Sequence, residues 1–249
     1  MTGPARGRAG RAALAVTLVG AVVTGCAYVP GMPGPTPTDL VPSEVPRRTP
    51  EATGNLSPDG FDAAQRMAVR IRNVGCGSVS TGSGFAIDDQ TLITNRHVVA
   101  DSAELQLSTY DGRDIAAMTA STAQLADLAI VRTTDDLPAV PDLADTDPAP
   151  GDEVTVVGYP EGGRLTVTSG RVIGGTTDPL NENLGEVLVT DAEVEPGSSG
   201  SAVLDSEGRV VGVVYAKNTL DQSFIVPVST LRTMLDDGSA FADAPTCSG

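Results

Sequence analysis

Past residue 60 the chain alternates short apolar runs with turn-forming residues. Candidate strands fall at 68–74, 84–87, 92–95 and 103–109, then at 128–131, 154–159, 165–174 and 187–191, and finally at 202–204, 210–216 and 223–226. Several are bounded by pairs such as Asp111-Gly112 and Glu207-Gly208, which punctuate strands because glycine accepts the backbone angles of a tight turn. One stretch, 230–235, reads as an α-helix, and 98–100 as a single turn. So many short strands argue for an all-β barrel or sandwich architecture rather than alternating βα units. No repeat of fixed period is visible, which removes solenoids and propellers. Residues 133–152 are acidic and proline-rich and read as a crossover between two half-domains.

The first 60 residues do not share this pattern. Arg6, Arg8 and Arg11 precede an apolar stretch from Ala12 to Val23, with no acidic residue before Cys26. A basic start, a short apolar core and small residues at its exit describe a secretory signal. The stretch is shorter than the about 20 residues a transmembrane helix needs. It ends Val23-Thr24-Gly25-Cys26, which resembles a bacterial lipoprotein lipobox. That resemblance implies diacylglycerol on Cys26 and cleavage before it; the alternatives are an uncleaved anchor or an ordinary signal peptide. Residues 26–60 are rich in Pro, Gly, Thr and Ser and read as a disordered, semi-extended linker with too few apolar residues to build a core. The organisation expected is thus a signal at 1–25, a linker at 26–60 and a folded domain at 61–249, on the extracytoplasmic face of the membrane or secreted.

Charge narrows the partners. Removing Arg6, Arg8 and Arg11 from the 16 basic residues leaves 13 against 32 acidic ones, a net charge of −19. Such a surface repels phosphate backbones, so nucleic acid is not an expected partner. It also stands off anionic lipid unless a covalent tether holds it there. Cys76 and Cys247 remain once Cys26 is set aside, and an even pair in an oxidising compartment reads as one disulfide. Without a Cys-x-x-Cys or His/Cys cluster, neither a metal site nor a cofactor is expected.

Candidate chemistry is carried by three separated positions. His97 is the single histidine, Asp127 opens the run Asp127-Leu128-Ala129-Ile130-Val131, and Ser199 lies in Pro196-Gly197-Ser198-Ser199-Gly200-Ser201. A histidine, an acid and a serine are the parts of an acyl-transfer site in which the base activates the hydroxyl and the acid orients the base. The stretches Thr81-Gly82-Ser83-Gly84-Phe85-Ala86-Ile87 with Leu92-Ile93-Thr94-Asn95-Arg96-His97-Val98-Val99, Asp127 to Val131, and Thr190 to Ser201 resemble the chymotrypsin-fold (trypsin-like) serine proteases. The style is closest to the bacterial HtrA-like branch, and the likeness runs from about Met67 to Leu235.

The resemblance implies two six-stranded antiparallel β-barrels, at about 66–135 and about 150–235, with the active site between them and a short C-terminal helix. It implies His97, Asp127 and Ser199 as catalytic residues and the Gly197 and Ser199 N–H groups as the oxyanion hole. The function implied is a serine endopeptidase acting on extracytoplasmic proteins and peptides; a catalytically silent peptide-binding lipoprotein is the competing reading.

Ser198 stands where the digestive branch carries an aspartate that pairs with a new N-terminal ammonium, so activation by that ion pair is not expected. Glu193 falls six residues before Ser199, the position that in the family it resembles usually sets the base of the primary pocket. It either selects basic side chains from there, or points to solvent, or pairs with Lys217 or Arg171. About 14 residues follow Leu235 and contain no PDZ-like module, so a monomer is expected.

Overall fold

The computed structural model describes residues 62–123, 126–180 and 184–247. The expected signal, Cys26 and the linker lie outside the described residues. The first sheet contains β1 (Ala68–Gly75), β2 (Val79–Asp88), β3 (Thr91–Thr94), β4 (Ser102–Thr109), β5 (Asp114–Ala123) and β6 (Ala129–Thr133). Its order is β5-β4-β1-β2-β3-β6, and pairing of β5 with β6 closes it into a barrel. The second sheet contains β7 (Glu153–Gly158), β8 (Thr166–Thr177), β9 (Glu186–Thr190), β10 (Ala202–Leu204), β11 (Val210–Lys217) and β12 (Ser223–Pro227). It closes in the order β10-β11-β12-β9-β8-β7, with β7 returning to β10. The fold is therefore the pair of six-stranded antiparallel barrels that the resemblance implies.

Among the described residues three α-helices accompany the barrels: α1 (Ala63–Arg66), the single turn α2 (Arg96–Val99) and α3 (Val228–Asp236), the short C-terminal helix. After α3, β13 (Phe241–Asp243) pairs antiparallel with β5 and returns the chain to the first barrel. There Cys76 and Cys247 form a disulfide across 171 positions, with Cα atoms 5.4 Å apart.

The core has three parts. One fills the first barrel around Val69, Ile71, Leu92 and Leu107; another fills the second around Val156, Val203, Val214 and Ile225. The third includes Met67, Phe85, Ile93, Val157, Tyr159, Val213 and Val226, drawn from strands of both barrels. Leu92 and Ile93 are neighbours on β3 yet join different clusters, as do Val213 and Val214 on β11, because successive side chains leave a strand on opposite faces. Strands buried on both faces read as continuous apolar runs, which is why 210–216 lacks the alternation of a half-exposed strand. The residues that position the candidate site sit where β2, β3 and β6 meet the loop preceding β10.

Candidate active site

His97 occupies α2, the turn that follows β3. Two buried asparagines hold that turn. The Asn73 amide on β1 donates to the carbonyls of Val98 and Ala100 at 3.0 and 2.8 Å, and the Asn95 amide donates to the Asp127 carbonyl at 2.7 Å. The Asp127 side chain then grips His97 at two points. One carboxylate oxygen accepts the His97 backbone N–H at 3.0 Å and the other lies 2.6 Å from Nδ1. A carboxylate can only accept, so Nδ1 carries the proton and the lone pair is left on Nε2. Asp127 is 3% exposed, whereas half of the imidazole surface stays open. Sequence reasoning paired these two residues, and the structure brings them together.

Ser199 sits in a loop built by glycine. Gly197 has φ +94° and Gly200 has φ +86°, both in the left-handed region that side chains disfavour. A Cβ on Gly200 would run into the Ser83 carbonyl and the Thr94 hydroxyl, so the loop approaches β2 as closely as a chain can. Glu195-Pro196-Gly197-Ser198 is closed by the Ser198 N–H on the Glu195 carbonyl at 2.9 Å. Proline second and a positive-φ glycine third are the signature of a type II turn. The Ser198 hydroxyl accepts the Glu195 N–H at 3.3 Å and so staples the same turn from inside.

Every carbonyl along this loop is held by a named donor. Pro196 O accepts from Glu161 N–H, and Gly197 O from the Ser83 hydroxyl at 2.8 Å. Ser198 O accepts from Ser201 N–H at 2.9 Å and Ser199 O from Ser83 N–H at 2.8 Å. The N–H groups divide differently: those of Ser198 and Gly200 are bonded, the latter to Val214 O at 2.8 Å. Among the described residues, the Gly197 and Ser199 N–H groups have no acceptor. Backbone donors in a packed loop ordinarily find a partner, so two open ones at and just before Ser199 are available to an external acceptor. The Ser199 hydroxyl is not hydrogen-bonded to the imidazole; the two are joined through the scaffold of Ser83 and Thr94 instead.

Glu193 is exposed and lines a cavity of about 220 Å³ with Val156, Thr166, Thr168, Ser198 and Ser201. Its carbonyl accepts the Thr168 hydroxyl at 2.9 Å. Neither expected partner pairs with its side chain: Arg171 bonds Glu153 at 2.7 Å and Lys217 bonds Glu195 at 2.8 Å. The Lys217 ammonium is held above its ordinary range, first by its hydrogen bond to Glu195 and further by the charges of Asp221 and Glu193. Tyr159 packs beside this loop, and burial pushes its phenol up to about 12.

Residues 82–213 match the family described as the trypsin-like peptidase domain. The chain belongs to this family. Among curated members, a probable periplasmic serine endoprotease DegP-like of Hahella chejuensis is 33% identical over 164 residues, which cover 63% of this chain and 35% of that one. Serine protease Do-like HtrA of Bacillus subtilis is 33% identical over 174 residues, covering 63% and 39%. The chain thus spans less than two fifths of the length of these trypsin-like relatives. Among solved structures, a protease from M. tuberculosis in its active form superposes with a TM-score of 0.66 at 26% identity, over 75% of this chain and 88% of that one.

Asn73, Asn95, Thr94, Tyr159, Glu161 and Ser83 were not anticipated as parts of the site. Ser83 carried a readable signal: a hydroxyl between two glycines on a strand that is otherwise turning apolar. The others act through backbone groups, buried amides or, for Thr94, a buried hydroxyl, which leave no pattern in a single sequence.

Proposed function

We propose that this protein is an extracytoplasmic serine endopeptidase of the HtrA-like kind. The observation that carries the reading is the two-point hold of Asp127 on His97, combined with the open Gly197 and Ser199 N–H groups beside the Ser199 hydroxyl. His97 Nε2 takes the Ser199 proton as Oγ attacks the substrate carbonyl, and Asp127 steadies the imidazolium that forms. The charge developing on the carbonyl oxygen is received by the Gly197 and Ser199 N–H groups. His97 then returns the proton to the leaving amine, and water repeats the sequence on the acyl-enzyme. The imidazole that takes and returns the proton is oriented by Asp127 before substrate arrives.

In this reading a signal at 1–25, a lipid on Cys26 and a linker at 26–60 tether the catalytic domain, 61–249, at the outer face of the membrane, where it acts as a monomer. Its substrates in this reading are exported proteins or peptides.

The test is reaction with a fluorophosphonate probe together with hydrolysis of a peptide library. Labelling and cleavage that both vanish in Ser199→Ala and His97→Ala support the enzyme. Peptide binding without labelling or cleavage by the wild type overturns it in favour of the silent binding protein.

A further inference from the structure

We infer that Ser83, a residue of the first barrel, is a positioning residue for the oxyanion loop of the second; the inference rests on the endopeptidase reading above. Ser83 is fully buried on β2, and its hydroxyl, N–H and carbonyl together make four hydrogen bonds. Its hydroxyl donates to Gly197 O at 2.8 Å and accepts the Tyr159 N–H at 2.8 Å. Its backbone N–H donates to Ser199 O at 2.8 Å, and its carbonyl accepts the Thr94 hydroxyl at 2.6 Å. Thr94 ends the strand that delivers His97, Ser199 carries the nucleophilic oxygen, and Gly197 supplies one oxyanion donor. One buried residue therefore links the three working parts, its backbone holding Ser199 and Thr94 and its hydroxyl holding Gly197.

The consequence follows from the planarity of the peptide bond. A carbonyl held in one direction fixes the plane it belongs to, and with it the neighbouring N–H. The Ser83 hydroxyl fixes the Gly197–Ser198 plane at its carbonyl end, while Glu195 O fixes the same plane at its N–H end. The same hydroxyl anchors Tyr159, which leads into the short turn Pro160–Gly162. From that turn the Glu161 N–H holds the Pro196 carbonyl, and so aims the Gly197 N–H the opposite way. Removing the hydroxyl leaves the Gly197 carbonyl and the Tyr159 N–H buried without partners. Rotation of the loop relieves them, and the same rotation takes the Gly197 N–H away from the oxyanion. Because that donor is engaged in the transition state more than in the ground state, the loss falls on kcat and spares KM.

The experiment compares Ser83→Ala with wild type in the full chain, using a peptide substrate chosen from the library. A fluorophosphonate burst counts competent sites, kcat is expressed per titrated site, and a peptide aldehyde, whose adduct places an oxyanion in the hole, gives Ki. The result expected is a kcat per site lower by ~10–100-fold, KM within ~3-fold of wild type, and a Ki weakened in step with kcat/KM. Should Ser83→Ala not fold, Ser83→Cys keeps the shape with a weaker donor, and the expected loss in kcat per site is ~5–30-fold. An unchanged kcat per site with a lowered melting temperature overturns the inference, since the hydroxyl then serves stability alone. Wild type that neither labels nor cleaves overturns the endopeptidase reading itself, and this inference with it.

Discussion

The backbone N–H of Glu161 donates to the carbonyl of Pro196, three residues before Ser199. Glu161 reaches it from φ 56°, a conformation that residues with a Cβ adopt reluctantly. A strained residue is thus kept where its N–H orients the peptide plane that carries the Gly197 donor. The loop proposed to form the oxyanion hole is aimed by backbone groups from a neighbouring turn as well as by its own sequence.

Gly197→Ala should disable this arrangement without unfolding the barrels. An added Cβ would lie 2.7 Å from Glu161 N, 2.9 Å from Gly162 N and 2.9 Å from Tyr159 O, at a φ that alanine resists. The expected outcome is a fall in kcat on the order of 10²–10³, the usual loss for one missing oxyanion donor. Steady-state kinetics beside a circular-dichroism melt check it; wild-type turnover would contradict the placement of the oxyanion hole.

Asp127→Asn replaces an acceptor-only group by one that also donates. The amide then bonds to the imidazole in the wrong tautomer, with the proton on Nε2 and no lone pair facing Ser199. Turnover should drop by roughly 10⁴ while the melting temperature moves far less. Fluorophosphonate labelling rates measure the first effect and differential scanning fluorimetry the second.

Reducing the Cys76–Cys247 bond should lower stability. The link closes a loop of 171 positions, for which chain entropy alone suggests about 4–5 kcal/mol. The tail is also held by β13 on β5 and by a bridge between Ser102 and Thr246, so a loss of about 2–3 kcal/mol is expected in urea unfolding of Cys247→Ser. Identical midpoints with and without reductant would show that strand pairing suffices.

Alkaline pH should destabilise the fold through Tyr159. Burial favours the neutral phenol and raises its folded value to about 12 from the ordinary 10.0. A group raised on folding contributes stability that is complete below its unfolded value and is lost as pH climbs through its folded one. Melting temperature should therefore decline between about pH 10 and 12, and Tyr159→Phe should flatten that limb. An equal decline in the variant would assign it to other groups.

Lys217 should restrain any taste for basic substrates. It bonds Glu195 at 2.8 Å, lies 3.8 Å from Asp221 and feels the charge of Glu193. Lys217→Ala leaves these three carboxylates without their cation. The ratio of kcat/KM for Lys or Arg over Ala before the scissile bond should rise at least ~5-fold, which library cleavage measures. An unchanged ratio would place Glu193 outside the primary pocket.

The sequence reading found the strands whose side chains are aliphatic and lost those whose side chains are small. Asp114–Ala123 was overlooked because alanine, serine and threonine dominate it, so no alternation announces a strand that closes a whole barrel. Val79 to Ser83 is illegible as strand for a related reason: its glycines and hydroxyls look like a turn, yet they serve close approach to the Ser199 loop. His97, Asp127 and Ser199 were legible because each sits in a distinctive short motif. Their supports were not, because Asn73, Thr94 and Tyr159 act across 11 to 76 positions of chain through contacts that only folding creates.

The return of the chain to its starting sheet bears on the order of assembly. β1 and β13 belong to the same sheet, and the whole second barrel is made between them. The clasp of Cys247 on Cys76 therefore forms only after every strand that shapes the Ser199 loop has been synthesised. A truncated or stalled chain cannot fasten it. Closure of the bond is thus a chemical record that synthesis had passed the second barrel and β13 before the two ends were joined.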